Sequence, residues 1–114
     1  MASPTVQELF DLSGKIALVT GGTGHLGTAF GHALAEAGAS VVISSRDEAR
    51  GREAADRLPT MSGATHHAVA LDQMDSDALR RGFEAAVEAA GQIDVLVNNG
   101  LDAEGKDLTE ISFE

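Results

Sequence analysis

Three residue types are missing from this 114-residue chain, and each absence limits its chemistry. It has no cysteine, which excludes a disulfide, a thiolate nucleophile and a cysteine-ligated metal. It has no tryptophan, no tyrosine and only four phenylalanines, so its core has to be built mainly from aliphatic side chains and alanine. A hydrophobic content of 43% still fits one folded domain over residues 1–114 rather than a disordered segment.

Basic residues are also scarce, with 8 against 18 acidic residues and a net charge of −10. This balance argues against a nucleic-acid-binding surface and against an anionic membrane as a partner. No apolar run approaches the ~18 residues of a membrane span, and residues 1–14 lack the basic region of a signal peptide. We therefore expect a cytoplasmic protein with no membrane partner.

The histidines do not indicate a metal site. His66 and His67 are adjacent, so in a strand their side chains point to opposite faces and cannot easily share an ion. With no cysteine available as a ligand, the sequence predicts no metal-binding residues.

What the chain does have is a short apolar run followed by closely spaced glycines. Ile16–Val19 follows Gly14 and precedes Gly21, Gly24 and Gly27. The run predicts a strand buried on both faces, and the apolar spacing after the glycines predicts a helix. This layout presents a helix N-terminus to a phosphate group, and a second strand at βαβ distance favours nucleotide binding over a merely flexible turn. No Gly-Lys-Ser/Thr triplet closes the loop, which excludes a Walker-type site.

The segment LSGKIALVTGGTGHLG resembles the cofactor loop of the short-chain dehydrogenase/reductase family. It matches that family's spacing Thr-Gly-x-x-Gly-x-x-Gly, whereas His25 stands where the middle glycine of the family's commonest loop would fall. The resemblance begins near Leu12 and corresponds to the first half of a family member. It implies that the loop contacts the cofactor through Gly21, Thr23, Gly24, His25, Leu26 and Gly27. Whether His25 touches the pyrophosphate or only fills the turn stays open.

The end of the second predicted strand, Ser40–Ser45, bears on the choice between NAD and NADP. A carboxylate here would bind the ribose of NAD and repel the 2′-phosphate of NADP. The chain has Ser45 and Arg46 instead, which in the family is typical of NADP(H) binding, and a guanidinium binds phosphate well. Asp47 lies near the usual spacing of the ribose acid, but it fits better as a helix N-cap. We predict NADP(H), with NAD(H) as the alternative; a surface ion pair between Arg46 and Asp47 or Glu48 is the non-functional alternative.

Polar residues follow the third and fourth predicted strands as well. The resemblance implies that Asp72 accepts a hydrogen bond from the adenine amino group, with Gln73 beside it, whereas helix capping is the alternative role for Asp72. Asn98, Asn99 and Gly100 stand where the family has Asn-Asn-Ala-Gly, and the backbone there approaches the adenine ribose. A plain Asn-Gly turn is the alternative for the last two residues.

The predicted elements alternate as β-α-β-α-β-α-β, which indicates a Rossmann-type, doubly wound parallel α/β sheet with strand order 3-2-1-4. The strands are predicted at 15–20, 40–45, 66–71 and 93–97, and the helices at 24–37, 47–58 and 76–90. We expect the first helix to bury Leu26, Ala29, Phe30, Ala33, Leu34 and Ala37, and the third to bury Leu79, Phe83, Ala86, Val87 and Ala90.

The family's chemistry rests on a Tyr-x-x-x-Lys pair and an upstream serine, and a chain without tyrosine cannot contain that pair. We therefore predict no catalytic residues and no turnover by this chain alone. The resemblance implies the NADP(H)-binding portion of an oxidoreductase that transfers hydride between nicotinamide and a carbonyl or alcohol. The alternatives are a non-catalytic nucleotide-binding module and a truncated product that needs another chain to complete its sheet.

The expected partners follow from this interpretation. The dinucleotide is the first, and a small-molecule substrate would bind only together with a missing C-terminal half. The unpaired edge of the fourth strand also predicts a homo-oligomer, because an open row of backbone donors and acceptors invites pairing with another chain.

Overall fold

The computed structural model describes residues 2–61 and 63–100, in which four strands alternate with helices. The strands are β1 Ile16–Val19, β2 Ser40–Ser45, β3 His67–Ala70 and β4 Val95–Val97. The helices are α1 Val6–Leu9, α2 His25–Glu36, α3 Glu48–Asp56 and α4 Ser76–Ala90. Each predicted strand and helix is present, and β4 begins two residues later than the sequence predicted.

The strands form one parallel sheet in the order β3-β2-β1-β4, which confirms the predicted Rossmann-type topology. In this arrangement β1 is central: Ala17 pairs with Val41 of β2 on one side and with Val95 of β4 on the other. The carboxyl ends of all four strands therefore lie along one edge of the sheet, where the loops that follow them are brought together.

The core is divided between the two faces of the sheet, because successive strand residues point in opposite directions. The cluster on the side of α2 and α3 consists of Val19, Ala35, Val41, Ile43, Ala55, Leu58 and Ala68. The cluster on the side of α4 consists of Leu18, Val42, Val69 and Ala86. Both faces of β1 and β2 are thus covered, which accounts for their uninterrupted apolar sequences.

The helices face the sheet through their smallest residues. The predicted buried stripes were wrong for the large side chains and right for Ala86. Leu26 and Phe30 of α2 are 59% and 40% exposed, and Leu79 and Phe83 of α4 are 41% and 44% exposed. Ala29 and Ala33 are exposed as well. The buried helix residues are Gly27, Gly31 and Ala35 in α2, Gly51 and Ala55 in α3, and Gly82 and Ala86 in α4. These helices lie so close to the strands that larger side chains are displaced to the flanks.

The helix ends follow the local signals in the sequence. Asp47 and Asp75 cap α3 and α4 by accepting hydrogen bonds from first-turn amides, as predicted for Asp47. Gly91 ends α4 with φ +93°, a conformation that favours glycine. Among the described residues, no helix has the length and apolarity needed to cross a membrane.

Candidate functional site

The loop between β1 and α2 needs glycine at two positions for different reasons. Gly21 has φ +62°, which L side chains rarely adopt. Gly27, in the first turn of α2, lies against the loop backbone, and a Cβ there would overlap the carbonyl oxygen of Gly21. Gly24 caps α2 without a side-chain hydrogen bond, so within residues 2–61 and 63–100 the first-turn amides of α2 have no side-chain acceptor.

The Thr20 hydroxyl joins this loop to the end of β4. Its Oγ1 donates to the carbonyl of Val97 at 3.3 Å and accepts from the amides of Asn99 and Gly100 at 2.9 and 3.0 Å. The side-chain amide of Asn99 in turn donates to the carbonyl of Gly21 at 3.2 Å. The turn after β4 is therefore fixed against the glycine loop, and the two segments form one wall of a cleft at the carboxyl edge of the sheet.

The end of β2 forms the opposite wall of this cleft. The carboxylate of Asp47 accepts from the amides of Ala49 and Arg50 at 3.0 and 3.3 Å, and the amide of Asp47 donates to Ser45 Oγ at 3.3 Å. Asp47 is thus engaged as an N-cap, as the sequence predicted. Across residues 2–61 and 63–100 the one ion pair is His32–Glu36, so the surface pairing of Arg46 with Asp47 or Glu48 is not observed.

The residues that follow β3 form the floor of the cleft. The carboxylate of Asp72 accepts from the amide of Met74 at 3.0 Å, which makes a local turn, while Asp75 takes the capping role. The carboxamide of Gln73 lies directly over Gly100, where any side chain at position 100 would overlap it. A rotation of the flexible Gln73 side chain would relieve this overlap, so the contact alone does not require glycine at position 100.

These segments enclose a cleft of about 690 Å³ at the carboxyl edge of the sheet. The predicted site residues that line it are Gly21, Thr23, Gly24, His25, Leu26, Ser45, Arg46, Gln73, Asn99 and Gly100. Three others do not: Gly27 packs behind the loop, Asp72 faces an adjoining cleft that Arg46 and Arg81 also line, and Asn98 is exposed.

Five lining residues were not among the predicted site residues, and they are Thr20, Ser44, Asp47, Arg50 and Leu71. Thr20 belongs to the loop motif, and the sequence did not indicate its role because its hydroxyl contacts a turn that is distant along the chain. Arg50 lies in α3, a helix rich in charged residues. Arg46 precedes α3, which begins at Glu48, so helical spacing does not relate the two arginines and no sequence signal pointed to Arg50.

Comparison with protein families matches residues 15–114 to the short chain dehydrogenase model. The chain belongs to the short-chain dehydrogenase family. The match includes the glycine loop, the end of β2 and the turn after β4, which are the segments that enclose the cleft.

Individual family members support this membership. The chain is 33% identical over 93 residues to the short chain dehydrogenase/reductase astE of Aspergillus oryzae, covering 82% of this chain and 36% of that protein. The Pseudomonas aeruginosa RhlG/NADP active-site complex superposes with a TM-score of 0.74 at 35% identity, covering 90% of this chain and 40% of that one. The 3-ketoacyl-(acyl-carrier-protein) reductase of Brucella melitensis complexed with NADH gives 0.69 at 35% identity, covering 78% and 35%.

The chain therefore spans between a third and two fifths of the length of these relatives. Within that span, the cleft offers hydroxyls, guanidinium groups and the amide-rich start of α2. These groups are suited to binding phosphate and sugar.

Proposed function

We propose that this chain binds NADP(H) and forms the dinucleotide-binding domain, residues 1–114, of a short-chain dehydrogenase. The observation that carries the proposal is the cleft at the carboxyl edge of the sheet, with the N-terminus of α2 on one side and Arg46 on the other. Parallel sheets with this strand order bind ligands at this edge, where the crossovers diverge from the central strands.

The first turn of α2 is the proposed pyrophosphate site. Among the residues that the structure describes, its amides have no side-chain acceptor, whereas α3 and α4 are capped by aspartate side chains. The positive end of the helix dipole favours an anion at this point. Thr23, Gly24, His25 and Leu26 surround this end of the cleft, and Gly21 and Gly27 maintain the shape of the loop.

The adenosine half is proposed to lie between the ends of β2, β3 and β4. Asp72 and Gln73 would contact the adenine, and the backbone at Asn98, Asn99 and Gly100 would lie along its ribose. Gln73 and Gly100 support this placement because their mutual contact forms the floor of the cleft.

The preference for NADP(H) is supported by the residues after β2. Ser45 and Arg46 line the cleft, and the acid beside them, Asp47, holds first-turn amides of α3. Both hydrogen bonds go to the same oxygen, Oδ1, and they fix Asp47 as the N-cap of α3. The solved relatives include one complex with NADP and one with NADH, so both cofactors occur in proteins similar to this chain.

Hydride transfer between nicotinamide and a carbonyl or alcohol is the proposed activity of the whole enzyme. The bound dinucleotide would supply the hydride chemistry, and this chain would bind the cofactor, orient it and restrict water at its phosphates. A non-catalytic nucleotide-binding module is the second candidate, which the absence of tyrosine favours. This chain alone should show no turnover under either candidate, so mass spectrometry of the native protein separates them. A longer native chain with a downstream Tyr-x-x-x-Lys motif supports the oxidoreductase, and a native protein without it supports the module.

Calorimetric titration with NADPH and NADH tests the cofactor assignment. We expect wild type to prefer NADPH, and Arg46→Ala to lower NADPH affinity by about 10- to 100-fold, the usual cost of a lost charge-assisted hydrogen bond. Gly21→Val should abolish binding of both cofactors, since φ +62° is strained for a branched residue. Equal affinities in wild type would refute the NADP(H) preference. Unchanged binding by a folded Gly21→Val protein, checked by circular dichroism, would show that the loop is not the phosphate site.

A further inference from the structure

Asn98 and Asn99 are the only asparagines in the chain, and Asn99 is followed directly by Gly100. The side-chain carbon of an asparagine is open to attack by the backbone nitrogen of the next residue. The attack is fastest when that residue is glycine, because no side chain then shields the nitrogen. The family pattern has alanine at position 100, so the Asn-Gly pair is a departure of this chain from that pattern.

Hydrogen bonds hold both reacting groups in the folded chain. The amide of Gly100, which would supply the attacking nitrogen, donates to Thr20 Oγ1 at 3.0 Å. The side-chain amide of Asn99, which carries the carbon that is attacked, donates to the carbonyl of Gly21 at 3.2 Å. The reaction therefore requires the turn after β4 to open, and the Thr20 hydroxyl restrains that opening.

The turn after β4 is also accessible to water. Asn99 and Gly100 are half-buried, and both line the cleft of about 690 Å³. The preceding strand β4 has three residues and lies at the edge of the sheet formed by residues 2–61 and 63–100. A segment held by so few backbone hydrogen bonds opens locally at a lower free-energy cost than a central strand does.

We propose that Asn99 is a site of spontaneous deamidation, and that its conversion weakens the binding of the cofactor. The nitrogen of Gly100 loses its proton to solvent and forms a bond to Asn99 Cγ, and the side-chain nitrogen takes up a proton and leaves as ammonia. Water then opens the cyclic imide at either of its two carbonyl groups, which leaves aspartate or isoaspartate at position 99. The net reaction consumes water and releases ammonia, and nothing is oxidised or reduced.

Either product removes a contact that holds the cleft together. A carboxylate at position 99 cannot donate a hydrogen bond to the Gly21 carbonyl, and it adds a negative charge to the wall that contains the glycine loop. That charge repels the phosphates of a dinucleotide. Isoaspartate also adds a carbon to the main chain, which displaces the amide of Gly100 from Thr20 Oγ1. The effect on the cofactor rests on the proposed binding of NADP(H), whereas the modification itself does not.

Peptide mapping by mass spectrometry tests the modification. The full 114-residue chain is incubated at mildly alkaline pH, both folded and in urea, and the conversion of each asparagine is followed over time. Asn98 is the internal control, because it is exposed but is not followed by glycine. We expect Asn99 to convert before Asn98 in the folded chain, and more slowly than in urea. Gly100→Ala should slow the conversion of Asn99 by about 10-fold, which is about 1.4 kcal/mol of activation free energy.

Two substitutions of Thr20 test the restraint. Thr20→Val removes the acceptor of the Gly100 amide, and Thr20→Ser, which keeps the hydroxyl, is its matched control. We expect Thr20→Val to convert about 5-fold faster than wild type when folded, the effect of one lost hydrogen bond on the opening of the turn. It should convert at the wild-type rate in urea, and Thr20→Ser should match wild type in both conditions. Circular dichroism checks that the variants are folded.

Calorimetric titration of Asn99→Asp with NADPH tests the consequence for the cleft. We expect the substitution to lower NADPH affinity by about 10-fold or more, because it replaces a hydrogen-bond donor by a like charge. Gln7→Glu is the control, since it makes the same change from amide to carboxylate on α1 at an exposed residue that does not line the cleft.

The possible failures are distinguishable. A folded chain in which Asn99 does not convert, or a Gly100→Ala rate equal to that of wild type, overturns the deamidation site. Equal rates for folded Thr20→Val and Thr20→Ser overturn the restraint, and unchanged NADPH affinity of Asn99→Asp overturns the effect on the cofactor. If wild type binds neither NADPH nor NADH, the proposed function fails and the effect on the cofactor fails with it, while peptide mapping still decides the modification.

Discussion

At the scale of single residues, Asp94 joins the start of β1 to the segment before β4. Its Oδ2 accepts a hydrogen bond from the amide of Ile16 at 2.8 Å, and both of its carboxylate oxygens accept from Gln92 Nε2 at 3.1 and 3.0 Å. The Ile16 bond, followed by the Gln92 bonds, lowers the pKa of Asp94 below its ordinary value. Each of these bonds favours the charged carboxylate.

The lowered pKa predicts how stability depends on pH. Because the pKa of Asp94 is lower in the folded than in the unfolded chain, its stabilisation is complete above the unfolded value of about 3.9 and is lost as pH falls through the folded pKa. Asp94→Asn should therefore lower the free energy of unfolding at neutral pH, and its difference from wild type should shrink in acid. Urea denaturation at a series of pH values measures this. Asp56→Asn, an exposed change on α3, is the control, and a difference independent of pH would contradict the role of Asp94.

The candidate site could be predicted from the sequence where a residue's position along the chain decides its role. Arg46 follows a strand directly, so its place at the carboxyl edge was fixed once β2 was recognised. Arg50 and the Thr20 hydroxyl were not predicted, because their roles depend on contacts between segments. Thr20 and Gly100 are 80 residues apart along the chain, and nothing local to either residue indicates that they meet.

At the scale of elements, the three longer helices contact the sheet through glycine and alanine spaced four residues apart. The spacing is seen in Gly31 and Ala35, in Gly51 and Ala55, and in Gly82 and Ala86. Glycine contributes little to a hydrophobic periodicity, so the periodicity predicted that the neighbouring stripe of Leu and Phe would be buried. The strands could be predicted because β1 and β2 are apolar on both faces, whereas the helix faces depend on how closely each helix approaches the sheet.

This close approach predicts opposite effects for two glycine substitutions. Replacing glycine by alanine in a helix interior ordinarily stabilises by up to about 1 kcal/mol. At Gly51 the added Cβ would lie 3.4 Å from Ala68 Cβ, so Gly51→Ala should be neutral or stabilising. At Gly82 it would lie 2.7 Å from the carbonyl oxygen of Ala70, so Gly82→Ala should destabilise by about 1–3 kcal/mol.

Chemical denaturation of both alanine variants and wild type measures the contrast. The two substitutions are chemically identical and both lie within helices, so helix propensity cancels between them. Equal changes in the free energy of unfolding would show that α4 can move away from β3 at little cost, and would contradict the close contact at Gly82.

At the scale of the whole molecule, the sheet has one edge formed by β4. Within residues 2–61 and 63–100, β4 pairs with β1 alone, and the side chain of Leu96 is 51% exposed. An unpaired parallel edge beside apolar side chains favours pairing with another chain. The homo-oligomer expected from the sequence therefore stays a prediction, in which β4 is the strand that pairs with a second chain.

We expect the 114-residue chain to self-associate as its concentration rises, and Leu96→Lys to shift it toward monomer, because an edge lysine opposes strand pairing. Light scattering over a concentration series measures the mass. Leu79→Lys is the control, since Leu79 is also exposed but lies on α4. Wild type that stays monomeric throughout, or a Leu79→Lys effect as large as that of Leu96→Lys, would refute association through β4.

The strand order at this scale could be predicted because right-handed crossovers leave few arrangements for alternating strands and helices. The exposed apolar side chains on α2 and α4 could not, since their position depends on which helix face lies against the sheet. Leu26 and Phe83 illustrate this, because each has a large apolar residue four positions away, Phe30 and Leu79, yet both side chains are exposed.

The register of β1 also implies an order of assembly. Its partners in β2 lie 24 residues away, as for Ile16 and Ser40, whereas those in β4 lie 78 away, as for Ala17 and Val95. Closing the longer loop costs about 1 kcal/mol more in chain entropy, for a ladder of only three residues. The β1–β2–β3 unit should therefore form first, and β4 should be the first strand to open in native-state hydrogen exchange. Because Asn99 and Gly100 follow β4, the proposed cofactor cleft is complete only after this last step, and a bound dinucleotide would slow the exchange of the β4 amides most.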